Sequence, residues 1–223
     1  MLYTFAVLRY PLKAVPDSSA CYRNYFGGRL SVSGIPDTGR FARVLTLDLR
    51  DPQLAFLRFP IGDELPLLMD FAEGAIAYSI KPEGVIQLHS SLDSNEESLL
   101  EENELPEQSI RLDPIAYEQY RAAIFSAAVI DDSYLSEEDA VALSSLGDNL
   151  TQIGGRQIRG SSYSPYCTNP SCEGHGSLIT QSLVTIGQEP VPQVSFGFLP
   201  YDPAIEYSFC MSCHSISGVI VPD

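Results

Sequence analysis

Two close pairs of cysteines in the last third of the chain constrain its folding more than any other feature. Cys167 and Cys172 lie in Tyr-Cys-Thr-Asn-Pro-Ser-Cys; Cys210 and Cys213 lie in Phe-Cys-Met-Ser-Cys-His. Thiols spaced this closely sit on tight turns that aim two sulfurs at one point. Two such turns supply the four ligands of a tetrahedral zinc ion. The second pair has the standard two-residue gap, and the first is looser but still within ligand spacing. Strand-like runs at residues 178–186, 191–198 and 216–221 lie between and after the pairs, which is the arrangement of a zinc ribbon. Cys167, Cys172, Cys210 and Cys213 are therefore the predicted ligands of a structural zinc.

Three other uses of these thiols compete with that reading. A disulfide framework suits an oxidising compartment, which no other part of the sequence calls for. Covalent haem is suggested by Cys210-Met-Ser-Cys213-His214, but it leaves the first pair unexplained. Finally, His175 or His214 could replace a cysteine; an incomplete thiolate set with a bound water would make a zinc-dependent hydrolase. A histidine beside a full ligand set is more often a bystander, so structural zinc is the expectation.

With 44 % apolar and 19 % charged residues in 223, the chain has the make-up of an ordinary globular protein with length for a sizeable core. The opening Met-Leu-Tyr-Thr-Phe-Ala-Val-Leu-Arg reads as a strand, without the basic start and cleavage site of a signal peptide. The longest apolar run, residues 122–130, is too short to span a bilayer. Free thiols without a secretion signal predict a cytoplasmic protein with no membrane association.

The net charge of −16 is concentrated. Residues 93–150 hold two basic residues against fifteen acids, and no Lys or Arg follows Arg159. A ribbon lacking basic residues has no grip on phosphate, so no nucleic-acid partner is expected. Such acidity suits solubility, a basic protein partner or mimicry of a nucleic-acid surface.

Along the chain, residues 2–10 read as a strand and the Pro-, Gly-, Asp- and Ser-rich residues 11–40 as loop. Residues 41–50 alternate, with Leu45, Leu47 and Leu49 on one face and Thr46, Asp48 and Arg50 on the other, the pattern of a half-buried strand. Residues 54–59, 65–71, 75–80 and 85–89 are further predicted strands in an antiparallel meander. Residues 91–109 hold seven acids and no Lys or Arg, and read as a solvated connector. Asp113 is the predicted N-cap of a helix with Pro114 at its first position and Tyr117, Tyr120, Ile124 and Ala127 on its packed stripe. Ser136 caps a second, its Glu137, Glu138 and Asp139 at the favourable end of the dipole, ending near Gly147. The predicted fold class is α+β with β-rich antiparallel sheets and two helices in the middle. It divides into a β-rich half at 1–92, an acidic connector at 93–112, a helical segment at 113–148 and a second β-rich half at 149–223 with the ribbon.

The halves echo one another. Tyr25-Phe-Gly27-Gly28-Arg29 answers Gln152-Ile-Gly154-Gly155-Arg156, and Ile76-Ala-Tyr78-Ser answers Ile205-Glu-Tyr207-Ser. A period of about 127 residues is too long for a solenoid and implies a duplicated fold with a pseudo-two-fold. The Gly-Gly, the strand Leu178-Ile-Thr-Gln-Ser-Leu-Val-Thr-Ile and the late cysteine pair resemble the YwqG-like bacterial proteins of unknown function. That resemblance covers residues 149–223, with residues 22–80 as a weaker copy. It implies a β-rich, internally pseudo-symmetric α+β domain and brings no catalytic residues with it.

No motif of catalysis stands out. Neither Gly-Gly-Arg segment fits a P-loop or dinucleotide fingerprint, and turn geometry explains the glycines more simply than anion binding. Cys21, beside Arg23, is a lone thiol of the kind usually found as a small buried hydrophobe. No nucleophile elbow or His-Glu-x-x-His occurs. The sequence thus predicts a non-enzymatic protein-interaction module, one version being an acidic immunity or inhibitor protein that masks a basic partner; the zinc-dependent hydrolase is the alternative.

Overall fold

The computed structural model describes residues 11–36, 39–57, 59, 62–89, 104–120, 137–138, 141, 150–154, 167–176, 180–196, 199, 204–210 and 212–221. Eleven strands form along them: β1 (Leu12–Pro16), β2 (Asn24–Phe26), β3 (Phe41–Asp48), β4 (Glu64–Asp70), β5 (Ala75–Ile80), β6 (Ile86–Leu88), β7 (Gln108–Pro114), β8 (Gln152–Ile153), β9 (Thr180–Ile186), β10 (Ala204–Cys210) and β11 (Ile216–Val221). They join in one antiparallel sheet in the order β4-β3-β2-β7-β1-β8-β9-β10-β11-β5-β6. The late strands β8 to β11 are set as a block between earlier ones, and buried side chains of both form one core: Phe26, Leu45, Leu67 and Ile110 belong to it with Ile153, Val184, Tyr207 and Phe209.

The alternation of residues 41–50 does produce a strand, but not a half-buried one. Thr46 and Asp48, expected on the solvent face, are as completely buried as Leu45 and Leu47. Asp48 is enclosed by Arg23, Asn24 and Arg50, which hydrogen-bond to it; the sheet as a whole curls into a half-barrel, which brings β4 against β5 and β11. Tyr78 of β5 fixes that closure. Its hydroxyl donates to the Pro66 carbonyl (2.8 Å) and accepts the Leu68 N–H (3.1 Å), two backbone groups of β4. A side chain thus satisfies strand groups that a further strand would otherwise pair. Tyr78→Phe is expected to cost about 2–3 kcal/mol in urea unfolding, because it strands a buried donor and acceptor. Tyr207→Phe is the control: that hydroxyl is buried with no hydrogen-bond partner among the described residues, so its loss should cost less than about 0.5 kcal/mol.

Several expectations are corrected. Residues 11–40 contain two strands, β1 and β2, whose Pro, Gly and Ser neighbours hide them in the sequence. Residues 54–57 and 59 are not in a strand; Asp51 accepts the Gln53 N–H and starts a 3-10 turn at Pro52–Leu54, with Leu54 and Leu57 plugging the core. Residues 104–109 are not merely a solvated connector: Leu105 is buried, and Gln108 and Ser109 open β7, paired with Phe26 and Tyr25. Asp113 and Pro114 end that strand opposite Lys13 and Leu12 and do not start a helix, because pairing with β1 outweighs the local capping signal. Of the predicted run 191–198, residues 191–196 make no strand either; Val191 and Val194 bridge across a turn at Pro192, and Phe196 stacks on Phe71 at 6.2 Å. β9 and β11 fall in two of the predicted ribbon runs, but with β10 between them they are not an independent module, since β8 and β5 continue the sheet on either side. Among the described residues, α-helix is limited to residues 117–120, 137–138 and 141. The predicted strand at 2–10, Ile124, Ala127, Ser136, Asp139 and Gly147 lie outside the described residues.

The buried Asp48 carboxylate is matched by four donors. The Arg50 guanidinium binds both oxygens at 2.8 Å, and the Arg50 and Arg23 backbone N–H groups each reach it at 3.0 Å. The Arg50 side chain is first among the causes that hold this carboxyl down at about 2, against the cost of burial. A depressed carboxyl stabilises the fold above its unfolded value near 3.8 and loses that contribution as pH falls toward 2. With Arg50 itself open to solvent, the contribution is about 1–2 kcal/mol. Asp48→Asn should lower stability at pH 7 and flatten its dependence between about pH 4 and 2 in acid-unfolding curves.

Candidate metal centre

Each cysteine pair is shaped by its own turn. In the second, Cys210 closes β10, its carbonyl accepts the His214 N–H (2.8 Å), and its own N–H donates to the Ser215 carbonyl (2.9 Å). The reversal needs a left-handed residue, and His214 supplies it at φ 57°. In the first, Asn169 makes the turn: its side chain accepts the Ser171 N–H (3.0 Å) and its carbonyl the Cys172 N–H (3.0 Å). The Cys167 carbonyl then accepts the Gly176 N–H (3.0 Å), which closes the loop.

The two turns meet sulfur to sulfur. All four Sγ atoms lie within 4.8 Å of one another, with Cys167 to Cys213 at 3.6 Å and Cys172 to Cys210 at 3.9 Å. A tetrahedron with Zn–S bonds of about 2.3 Å has sulfur–sulfur edges of about 3.8 Å. A disulfide would need about 2.05 Å, and all four thiols are free. The donor set therefore fits a four-coordinate, thiophilic metal ion. Among the described residues it is the group of metal-ligating side chains that converges in this way.

Four thiolates around a divalent cation would leave a net charge of −2. Neutral donors lie against the sulfurs. The Gly174 N–H points at the Cys172 sulfur (3.3 Å), and the Ser212 and Cys213 N–H groups face that of Cys210. The Ser215 hydroxyl, buried, lies 3.1 Å from the Cys213 sulfur and 3.6 Å from that of Cys167. Without metal the thiols are unlike. Burial pushes Cys210 up to about 12 and raises Cys172, whereas at Cys213 hydrogen bonds led by the Ser215 hydroxyl overcome burial and bring it to about 7. Ser215 is the contributor that spacing rules do not find; its only sequence signal is its place two residues beyond the second pair.

The neighbouring histidines have other surroundings. His214 sets its ring edge-on to Phe59 at 5.7 Å, and Phe59 in turn packs on Phe209 at 5.3 Å. His175 is exposed, and its backbone bridges to Cys167. His89 does not belong to this group: its Nε2 lies 3.1 Å from the Ser79 hydroxyl, and burial lowers its pKa. Cys21 is exposed rather than buried, and the nearby Arg23 guanidinium lies over the Tyr25 ring at 5.5 Å.

The Gly-Gly segments are turn and packing devices as far as they are described. The Gly27 N–H donates to Val44 and the Gly28 N–H to Leu105, so neither amide is offered to an anion. Arg29 projects into solvent, 3.8 Å from Glu104. Gly154 has φ +72° and lies against Phe56; Gly155 and Arg156 lie outside the described residues. No helix among the described residues is long and apolar enough to cross a membrane. Compared with family models, curated proteins and solved structures, the chain matches none.

Proposed function

We propose that this protein is a non-enzymatic, cytoplasmic interaction module whose late strands are stapled by one structural zinc ion on Cys167, Cys172, Cys210 and Cys213. The observation that carries this reading is the approach of four thiol sulfurs, from two separate turns, to within 4.8 Å. Zinc would draw the β10–β11 turn and the 167–176 loop together as a Lewis acid held by four sulfurs, with no position left for substrate. Elemental analysis with X-ray absorption tests it: one zinc per chain with four sulfurs at about 2.3 Å is expected. A sulfur-poor site with bound oxygen would overturn it in favour of the hydrolase. His214→Gly separates the two further. Glycine adopts the left-handed turn freely, so metal content and stability should be unchanged if His214 serves the turn, whereas a ligand role predicts lost zinc.

The interaction half of the reading is supported by charge. The fifteen acids of residues 93–150 favour a basic protein partner, as an immunity or inhibitor protein would have. Neutralising Asp93, Glu96, Glu97, Glu101 and Glu102 to their amides should weaken partner capture and its salt dependence in pull-downs at low and high ionic strength.

The reading includes an internal duplication of the kind implied by the YwqG-like resemblance. What supports it is register. From the central β7–β1 pair, β2, β3 and β4 run outward on one side and β8, β9 and β10 on the other. Tyr25 and Phe26 face Thr46 and Leu45, as Gln152 and Ile153 face Thr185 and Val184. Leu45 and Leu47 face Leu67 and Leu65, as Val184 and Ile186 face Tyr207 and Ile205. Both ladders break at the same step, between Arg43 and Leu45 and between Tyr207 and Ser208, opposite Val184 and Ser182. A bulge is a specific local device, and its recurrence at matching positions is hard to reach by separate routes.

A further inference from the structure

The same matching carries on past the end of β4. Phe41 pairs with Asp70 at the foot of β3–β4, and Thr180 with Cys210 at the foot of β9–β10. Three residues later come Glu73 and Cys213, and then Gly74 and His214. Both of the latter are left-handed, at φ 67° and 57°, and both donate their N–H to the carbonyl four residues back, Gly74 to Asp70 (2.9 Å) and His214 to Cys210 (2.8 Å). The side chain that opens each turn also takes the same backbone donors. The Asp70 carboxylate accepts from Ala72 (3.0 Å) and Glu73 (3.3 Å), as the Cys210 sulfur does from Ser212 and Cys213. Asp70 and Glu73 thus hold the places of Cys210 and Cys213.

Between them, in the first turn, lies a cation of the chain's own. The Arg40 guanidinium binds Asp70 through Nε and NH2 (3.0 and 2.5 Å), reaches Glu73 at 3.7 Å, and is nearly buried. The Arg40 backbone carbonyl also accepts the Phe71 N–H at 3.0 Å. Arg40 directly precedes β3, as the 167–176 loop precedes β9.

We propose that the β4–β5 turn is a second cation clamp of the same design as the cysteine turn, with the Arg40 guanidinium in the place that a metal ion would take between the cysteines. One half of the sheet is latched by a cation supplied in the sequence, the other by a cation taken from solution. The metal-dependent part of the fold is then confined to the cysteine turns, and the Arg40 clamp holds whether or not metal is present. The parallel rests on the zinc reading of the cysteines; the clamp at Arg40 does not.

Amide hydrogen exchange on the full chain decides it, in three samples: zinc-loaded wild type, chelated wild type and zinc-loaded Arg40→Met. Chelation should speed exchange at residues 210–215 and 172–176 more than tenfold and leave residues 71–74 within twofold. Arg40→Met should do the reverse, with one zinc still bound. Equal loosening of both turns on chelation, loss of zinc in Arg40→Met, or unchanged protection at 71–74 in that variant would each overturn the proposal. Should Arg40→Met fail to fold, Arg40→Lys is read in the same way, since lysine keeps the charge and loses the two-pronged contact. If wild type binds no zinc, the metal reading fails by itself, and the Arg40 arm still decides the clamp.

Discussion

Replacing Cys210 with serine, or stripping wild type with a strong chelator, is expected to lower the melting temperature by roughly 8–16 °C. A ligand that binds only the folded state stabilises it by about 4 kcal/mol when its free concentration is a thousand times its dissociation constant. For a chain of this size each kcal/mol is worth about 2–4 °C. Cys210 is the right thiol to remove because it is buried at the end of β10 and its loss opens the ligand set from inside. Added zinc should restore the chelated wild type and leave Cys210→Ser unchanged. Cys21→Ser is the control; that thiol is exposed and belongs to no cluster, so melting should stay within about 1 °C. Calorimetry with metal quantified in the same samples checks all three.

Gly27→Ala is expected to cost about 4 kcal/mol or more, roughly a thousandfold in the folding equilibrium. A methyl group there would sit 2.1 Å from the Pro106 carbonyl oxygen and 2.6 Å from that of Leu105, at a φ of +63° that L residues rarely adopt. Neither obstacle can yield cheaply, for both are backbone. The Gly28 N–H to Leu105 carbonyl bond (2.9 Å) and the β2–β7 pairing hold that segment in place. Gly84→Ala isolates the conformational part. Its φ is +79° but nothing lies within 4 Å, so about 1 kcal/mol is expected. Urea unfolding of the two variants separates steric from dihedral cost, and a small effect at Gly27 would show that the Gly-Gly is not a packing device.

The candidate site is legible in the sequence because ligand chemistry fixes both residue type and spacing: two short-spaced thiol pairs allow few arrangements. The strands at 75–80 and 216–221 are legible for a similar reason, since β-branched and aromatic residues recur there between glycine turns. What stays hidden is set by tertiary pairing. β1 contains Pro16, β2 is three residues long, and β7 ends on Asp113-Pro114 after an acidic stretch. β1 and β2 carry no periodic signal of their own, and in β7 the alternation of Ile110 and Leu112 with Ser109, Arg111 and Asp113 is short; each becomes a strand because a neighbour offers hydrogen bonds. The burial of Asp48 is likewise invisible locally, because it depends on Arg23 and Asn24, which the pairing of β2 with β3 brings beside it.

The seating of β11 between β10 and β5 bears on how the chain is made. On a ribosome, Ala-Ile-Ala-Tyr-Ser-Ile of β5 emerges long before the strand that will cover its flank. Until then one margin of an aggregation-prone hexapeptide stands open to other nascent chains, so long-range pairing makes completion slow and chaperone supply a determinant of yield.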